Sequence, residues 1–198
     1  MKTRPALNLR PLPTYGFGAK AVTWWGTLAF IAIEGSAFAM AIGAYFYLAA
    51  LAVRWPPSPL PGHWPGSLMF ALLLVSLWPN LSIERLARAE NLKAVRAGLL
   101  LMSAIGLVAI AIRFYEFYNL PTKWYVNAYG SMLWFLLGLH ATHLITDVGD
   151  TLVLSALMFT KHGRGKRFSD VSDNAFYWNF VVGAWVPLYF VIYWFQKE

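Results

Sequence analysis

Tyr129–Phe159 reads YGSMLWFLLGLHATHLITDVGDTLVLSALMF, an apolar run long enough to cross a bilayer that nevertheless carries His140, His143, Asp147 and Asp150. The spacings of 3, 4 and 3 residues place these groups on one helical stripe, roughly 80° wide at about 100° per residue. Ionisable groups at membrane depth are costly and turn toward protein or water rather than hydrocarbon. The stripe therefore faces inward, and the segment belongs to a bundle.

The rest of the chain agrees. Of 198 residues, 59% are hydrophobic and 13% charged, with a mean hydropathy of +0.51, too apolar for a soluble domain. Ten Trp and ten Tyr supply the amphipathic rings that gather at membrane interfaces. The absence of cysteine excludes disulfides, thiolate metal sites and iron-sulfur clusters.

Residues 1–20 form a cationic, Pro-rich segment expected to lie on the cytoplasmic membrane surface, and residues 21–198 a single membrane domain. Ala21–Val53 contains 33 residues with Glu34 as its only charge, far longer than the apolar part of a signal peptide, and is the first span. Arg54–Gly66 holds five prolines and reads as a loop. A second span, Ser67–Ile83, contains Pro79, where a kink or early unwinding is expected. After a polar hinge at 84–96 come a third span, Ala97–Phe117, and the His/Asp segment as the fourth. The basic stretch KHGRGKRFSDVSD reads as a loop leading to a fifth span, Asn174–Gln196. The expected fold is an all-α bundle of five transmembrane helices.

Twelve of the 16 Lys and Arg lie before span one, between spans two and three, or between spans four and five. Only Arg54, Lys123 and Lys197 lie on the opposite side, and Arg113 is within a span. This asymmetry puts the N-terminus in the cytoplasm and the C-terminus outside. The net charge of +7 is thus a topology signal and does not point to nucleic acid.

Five further features bear on function. Glu34 at mid-span must be protonated, paired or hydrated, as a structural or a proton-linked group. Gly35, Ala39 and Gly43 beside it form a small-residue seam open to close helix approach. His140 and His143, three apart on one face, cannot grip a haem from opposite sides. His63 and His162 belong to loops on opposite sides, so no metal site is expected on this chain. Asp147, four residues after His143, is placed to pair with it, while Arg113 and Glu116 either pair on one face or snorkel to the interface.

Taken in order, TWWGTLAFIAIEGSAFAMAIGAYFYL, RAGLLLMSAIGLVAIAIRFYEFY, YGSMLWFLLGLHATHL and AFYWNFVVGAWVPLYFVIYWF resemble successive helices of subunit III of haem-copper oxidases, across Thr23 to Trp194. The Glu of the first segment, the Glu closing the second, the His-x-x-His and the Tyr177-Trp178 pair of the last carry the match. Five spans resemble the short bacterial form. The resemblance implies a multi-pass protein of the bacterial cytoplasmic membrane, packed on catalytic subunit I and accompanied by subunit II. It would bind no haem or copper itself, and would support assembly, lipid binding, proton uptake and durable turnover. Departures from the family pattern are Asn179 in place of His, Val182 in place of Asp, Arg113 in place of Gln, and the added Asp147 and Asp150. A nitric-oxide reductase accessory subunit and a proton-coupled carrier built on Glu34 and the His/Asp stripe are the alternatives.

Overall fold

The computed structural model describes residues 15–161, 163 and 165–196. Most of the N-terminal surface segment, together with His162, Arg164 and Lys197, lies outside the described residues. After a short 3-10 turn at Gly18–Lys20 come α1 (Val22–Leu51), α2 (His63–Arg88), α3 (Leu92–Tyr118), α4 (Ala128–Met158) and α5 (Lys166–Tyr193). No strand occurs among the described residues. The expected all-α membrane bundle of five helices is what forms, with α1, α2, α3 and α5 long and apolar enough to cross a membrane.

α4 falls short of that apolarity because it carries His140, His143, Asp147 and Asp150, three of them on its inner face. His140, His143 and Asp147 are buried, while Phe135, Ile145 and Val153 are exposed on the outside. Such an inside-out distribution suits a helix whose outer face meets lipid. The starts of α3 and α4 are set by side-chain caps. Asn91 accepts from the Ala94 N–H at 3.2 Å, and Asn127 from the Gly130 N–H at 2.7 Å.

Several boundaries differ from the sequence expectation. α2 begins at His63, inside the expected loop, with Pro65 in its first turn, where a missing N–H leaves no bond unmade. Past Pro79, where a kink or early unwinding was expected, it continues as one helix to Arg88. Asn80, next to Pro79, donates to the Ala175 carbonyl at 2.8 Å and to Asn179 Oδ1 at 2.9 Å, tying that turn to α5. The expected polar hinge thereby shrinks to residues 89–91, with Glu90 at φ 53°. α5 begins at Lys166, because Phe168, Ser169, Val171 and Ser172 bury one face of what reads as a polar loop. Ser169 Oγ donates to the Gly16 carbonyl at 2.6 Å, and Tyr15 donates to Glu90 at 2.5 Å, so the segment before α1 is strapped across the ends of α2 and α5. That bond to a carboxylate holds the half-buried Tyr15 phenol above its usual range.

The core is built on α4 and α5, where Leu133, Leu136, Leu137, Leu144, Trp185, Leu188 and Ile192 are fully enclosed. α1 is peripheral and packs through Phe38, Ala41, Tyr45 and Ala49. The small-residue seam proposed from sequence is not this contact: Ala39 and Gly43 are exposed, because the face of α1 that packs carries Phe38, Ala41, Tyr45 and Ala49 instead. Gly66 marks one true close approach. A Cβ there would lie 2.3 Å from the Tyr193 ring.

Candidate functional site

The stripe on α4 feeds two polar clusters one helical turn apart. The first is built on α3, α4 and α5. Arg113 and Glu116, each with a side chain only 2% exposed, form an ion pair, which removes the snorkelling alternative. Glu116 also accepts from the Tyr193 hydroxyl. The Arg113 guanidinium lies 4.0 Å from the centre of the Trp185 ring and contacts His140 Nδ1 at 3.0 Å. Because a guanidinium only donates, Nδ1 of His140 is the acceptor and Nε2 carries the proton, which it gives to the Val181 carbonyl at 3.1 Å. His140 is therefore neutral and fully engaged.

The second cluster joins α1, α4 and α5. Tyr177 donates to Glu34 Oε2 at 2.6 Å, and His143 Nε2 faces Glu34 Oε1 at 3.2 Å. His143 Nδ1 lies 2.6 Å from the Leu139 carbonyl, which can only accept. The proton on this ring therefore sits on Nδ1, the tautomer opposite to that of His140. Phe38 packs beside His143, with ring centres 4.8 Å apart.

This arrangement corrects one expectation. His143 reaches across to Glu34 instead of along its own helix to Asp147, since the ring nitrogen nearest the backbone is taken by Leu139. Asp147 accepts from Asn174 Nδ2 at 3.0 Å, and Asn174 Oδ1 accepts from Thr151 at 3.1 Å. Asp150, on the edge of the stripe, is exposed and lines a groove of about 770 Å³ between α1, α4 and α5, along with Thr23, Glu34, His143, Asp147 and Asp173.

Sequence reasoning missed Tyr177, Trp185, Tyr193, Asn80 and Asn174 as partners. Aromatic residues in a chain so rich in them read as interfacial, and only the Tyr-Trp pair at 177–178 stood out. At the departures from the family pattern, Asn179 receives the Asn80 amide and Val182 is simply packed, 2% exposed.

With that geometry in view, comparison with known proteins is decisive: the family model described as cytochrome c oxidase subunit III matches residues 17–197. The chain belongs to the cytochrome c oxidase subunit III family. It is similar to cytochrome c oxidase subunit 3 of Petromyzon marinus, with 30% identity over 184 residues covering 86% of this chain and 68% of the relative. The human protein of that name is 30% identical over 190 residues, with the same coverage of both chains. That of Locusta migratoria is 29% identical over 185 residues, again covering 86% and 68%.

The first cluster, which ties α3 to α4 and α5, makes a concrete prediction. Gly66→Ala drives a methyl group into the Tyr193 ring and pushes its hydroxyl off Glu116. The expected cost is about 1–3 kcal/mol, as for overpacking elsewhere. It is read as a lowered thermal midpoint in detergent, and an unchanged midpoint would show that Tyr193 moves freely.

Proposed function

We propose that the chain is the non-catalytic subunit III of a proton-pumping haem-copper terminal oxidase of the cytochrome c oxidase type, acting in aerobic respiration in a bacterial cytoplasmic membrane. It packs directly against subunit I, alongside subunit II, and supports assembly, proton uptake and the stability of subunit I. Haem and copper belong to those partner subunits, and phospholipid is a further partner. The observation that carries this reading is the family match over residues 17–197, joined to a polar interior in which both histidines of α4 are engaged by neighbouring groups.

The test is affinity purification in mild detergent. Haem-bearing and copper-bearing chains are expected to co-purify. A haem b chain with non-haem iron would instead indicate a nitric-oxide reductase system, and recovery of the chain alone would favour a carrier.

Two variants separate support from chemistry within the complex. Glu34→Gln keeps the shape and the Tyr177 bond, so it is expected to assemble and retain most oxygen reduction, whereas His143→Leu is expected to lower retention of the chain. A fully assembled Glu34→Gln complex that fails to reduce oxygen from the first turnover would make Glu34 an obligatory proton carrier.

The orientation proposed from the charge asymmetry has its own test. Lys123 and Lys161 flank α4 and are exposed. In this cysteine-free chain, single cysteines at these positions are expected to react with an impermeant reagent from opposite sides, the one at 161 from the cytoplasm. Labelling from one side only would remove α4 from the set of spans.

A further inference from the structure

Among the described residues, the side-chain hydrogen bonds that α2 makes to other helices all run to α5. Ser67 bonds Tyr189 at 2.8 Å, Ser76 accepts from Trp178 at 2.8 Å, and Asn80 donates to the Ala175 carbonyl and to Asn179. Between α2, α3, α4 and α5 lies a small cavity of about 10 Å³, whose wall includes Asn80, Leu99, Met102, Thr151, Asn174 and Trp178. No residue of α1 reaches that wall. The volume is about the smallest that holds one water molecule.

The hydrogen bonds already made decide what the wall still offers. The Ala175 carbonyl can only accept, so the Asn80 amide nitrogen faces it and spends its two protons there and on Asn179. Asn80 Oδ1 is left without a partner among the described residues, on a side chain whose residue is 3% exposed. Thr151, 5% exposed, gives its hydroxyl proton to Asn174 Oδ1 at 3.1 Å and keeps its lone pairs. Trp178 spends its one N–H on Ser76. Two buried acceptors, one on α2 and one on α4, thus line a single cavity, and buried polar oxygens are nearly always hydrogen-bonded. A water molecule carries the two protons they require. A cation would also meet oxygen, but no residue of the wall is charged, so the ion would be buried without a counter-charge.

We propose that this cavity is the site of one resident water molecule, which donates to Asn80 Oδ1 and to Thr151 Oγ1 and so joins α2 to α4. It completes a polar layer across the bundle, running from Asn179 through Asn80, the water and Thr151 to Asn174. Asn80 follows Pro79, whose ring removes one bond from the backbone ladder of α2. The water therefore holds α2 where its own ladder is weakest. The site is built from this chain's residues alone and does not depend on which subunits surround it.

A density map of the purified complex, at a resolution that shows ordered water elsewhere in the bundle, is the direct test. One peak within about 2.5–3.0 Å of both Asn80 Oδ1 and Thr151 Oγ1 is expected. It should vanish in Thr151→Val, which keeps the side-chain shape without the hydroxyl. No peak in the parent complex, where other interior waters are seen, would overturn the proposal. A double-variant cycle on the full chain in detergent is the second readout, since the bonds of Asn80 and Thr151 do not run to each other. Asn80→Ala and Thr151→Val should be coupled by at least about threefold in the unfolding equilibrium constant, whereas Asn179→Ala and Thr151→Val should combine to within about twofold of independent effects. Independent effects in the first pair, or equal coupling in the second, would each contradict the bridge. Replacing sodium and potassium by choline should leave the unfolding midpoint unchanged. A midpoint that rises with sodium or potassium would give the site to a cation and overturn the assignment to water.

Discussion

Glu116→Leu is expected to destabilise the chain by about 3–5 kcal/mol, because it leaves the Arg113 charge buried without its counter-ion. Arg113 is 2% exposed. Its remaining contacts are a neutral imidazole and the face of Trp185, neither of which carries a full negative charge. The Tyr193 hydroxyl loses its acceptor in the same step. Thermal unfolding in detergent and retention of the chain in the complex both report the loss. Arg113→Leu combined with Glu116→Leu is expected to cost less than Glu116→Leu alone, since a buried pair replaced by apolar groups strands no charge. A double variant at least as damaged as the single one would mean that the ion pair itself contributes the stability.

Trp185→Ala is the second large effect. The ring is fully buried on α5, between His140, at 4.9 Å between ring centres, and the Arg113 guanidinium. Truncation removes a large apolar surface and opens a void beside the buried cation, for an expected loss of about 3–5 kcal/mol. Trp185→Phe keeps an aromatic face under the guanidinium and should recover a large part of that loss. Equal damage from Ala and Phe would show that the indole shape, and not the aromatic face, is what the site requires.

The stripe that organises α4 was legible because helical periodicity depends only on local spacing. His140 and Asp147 lie at one side of the arc and are 0% and 1% exposed; His143, further round, is 8% exposed. Asp150, at the far edge, opens to the groove. The partners were not legible. Glu34 meets His143, and Tyr193 meets Glu116, through inter-helix registers that no short-range pattern records. Spacing alone suggested Asp147 for His143, and the backbone carbonyl of Leu139 decided otherwise by occupying Nδ1. The early start of α5 was hidden for a related reason. Serine and aspartate in SDVSD read as loop chemistry, yet they form a helical turn because Phe168 and Val171 anchor one face in the core. The seam of Gly35, Ala39 and Gly43 was a real spacing on the wrong face, since α1 meets this bundle through Phe38, Ala41, Tyr45 and Ala49.

The most direct test of the central claim, that this chain supports an oxidase without carrying its chemistry, is oxygen consumption by the complex purified from a strain lacking the chain. The account predicts that complexes retaining subunits I and II reduce oxygen at close to the parental rate in the first turnovers and lose activity faster as turnover continues. Absence of oxygen reduction from the first turnover, in complexes whose haem and copper content is unchanged, would contradict it.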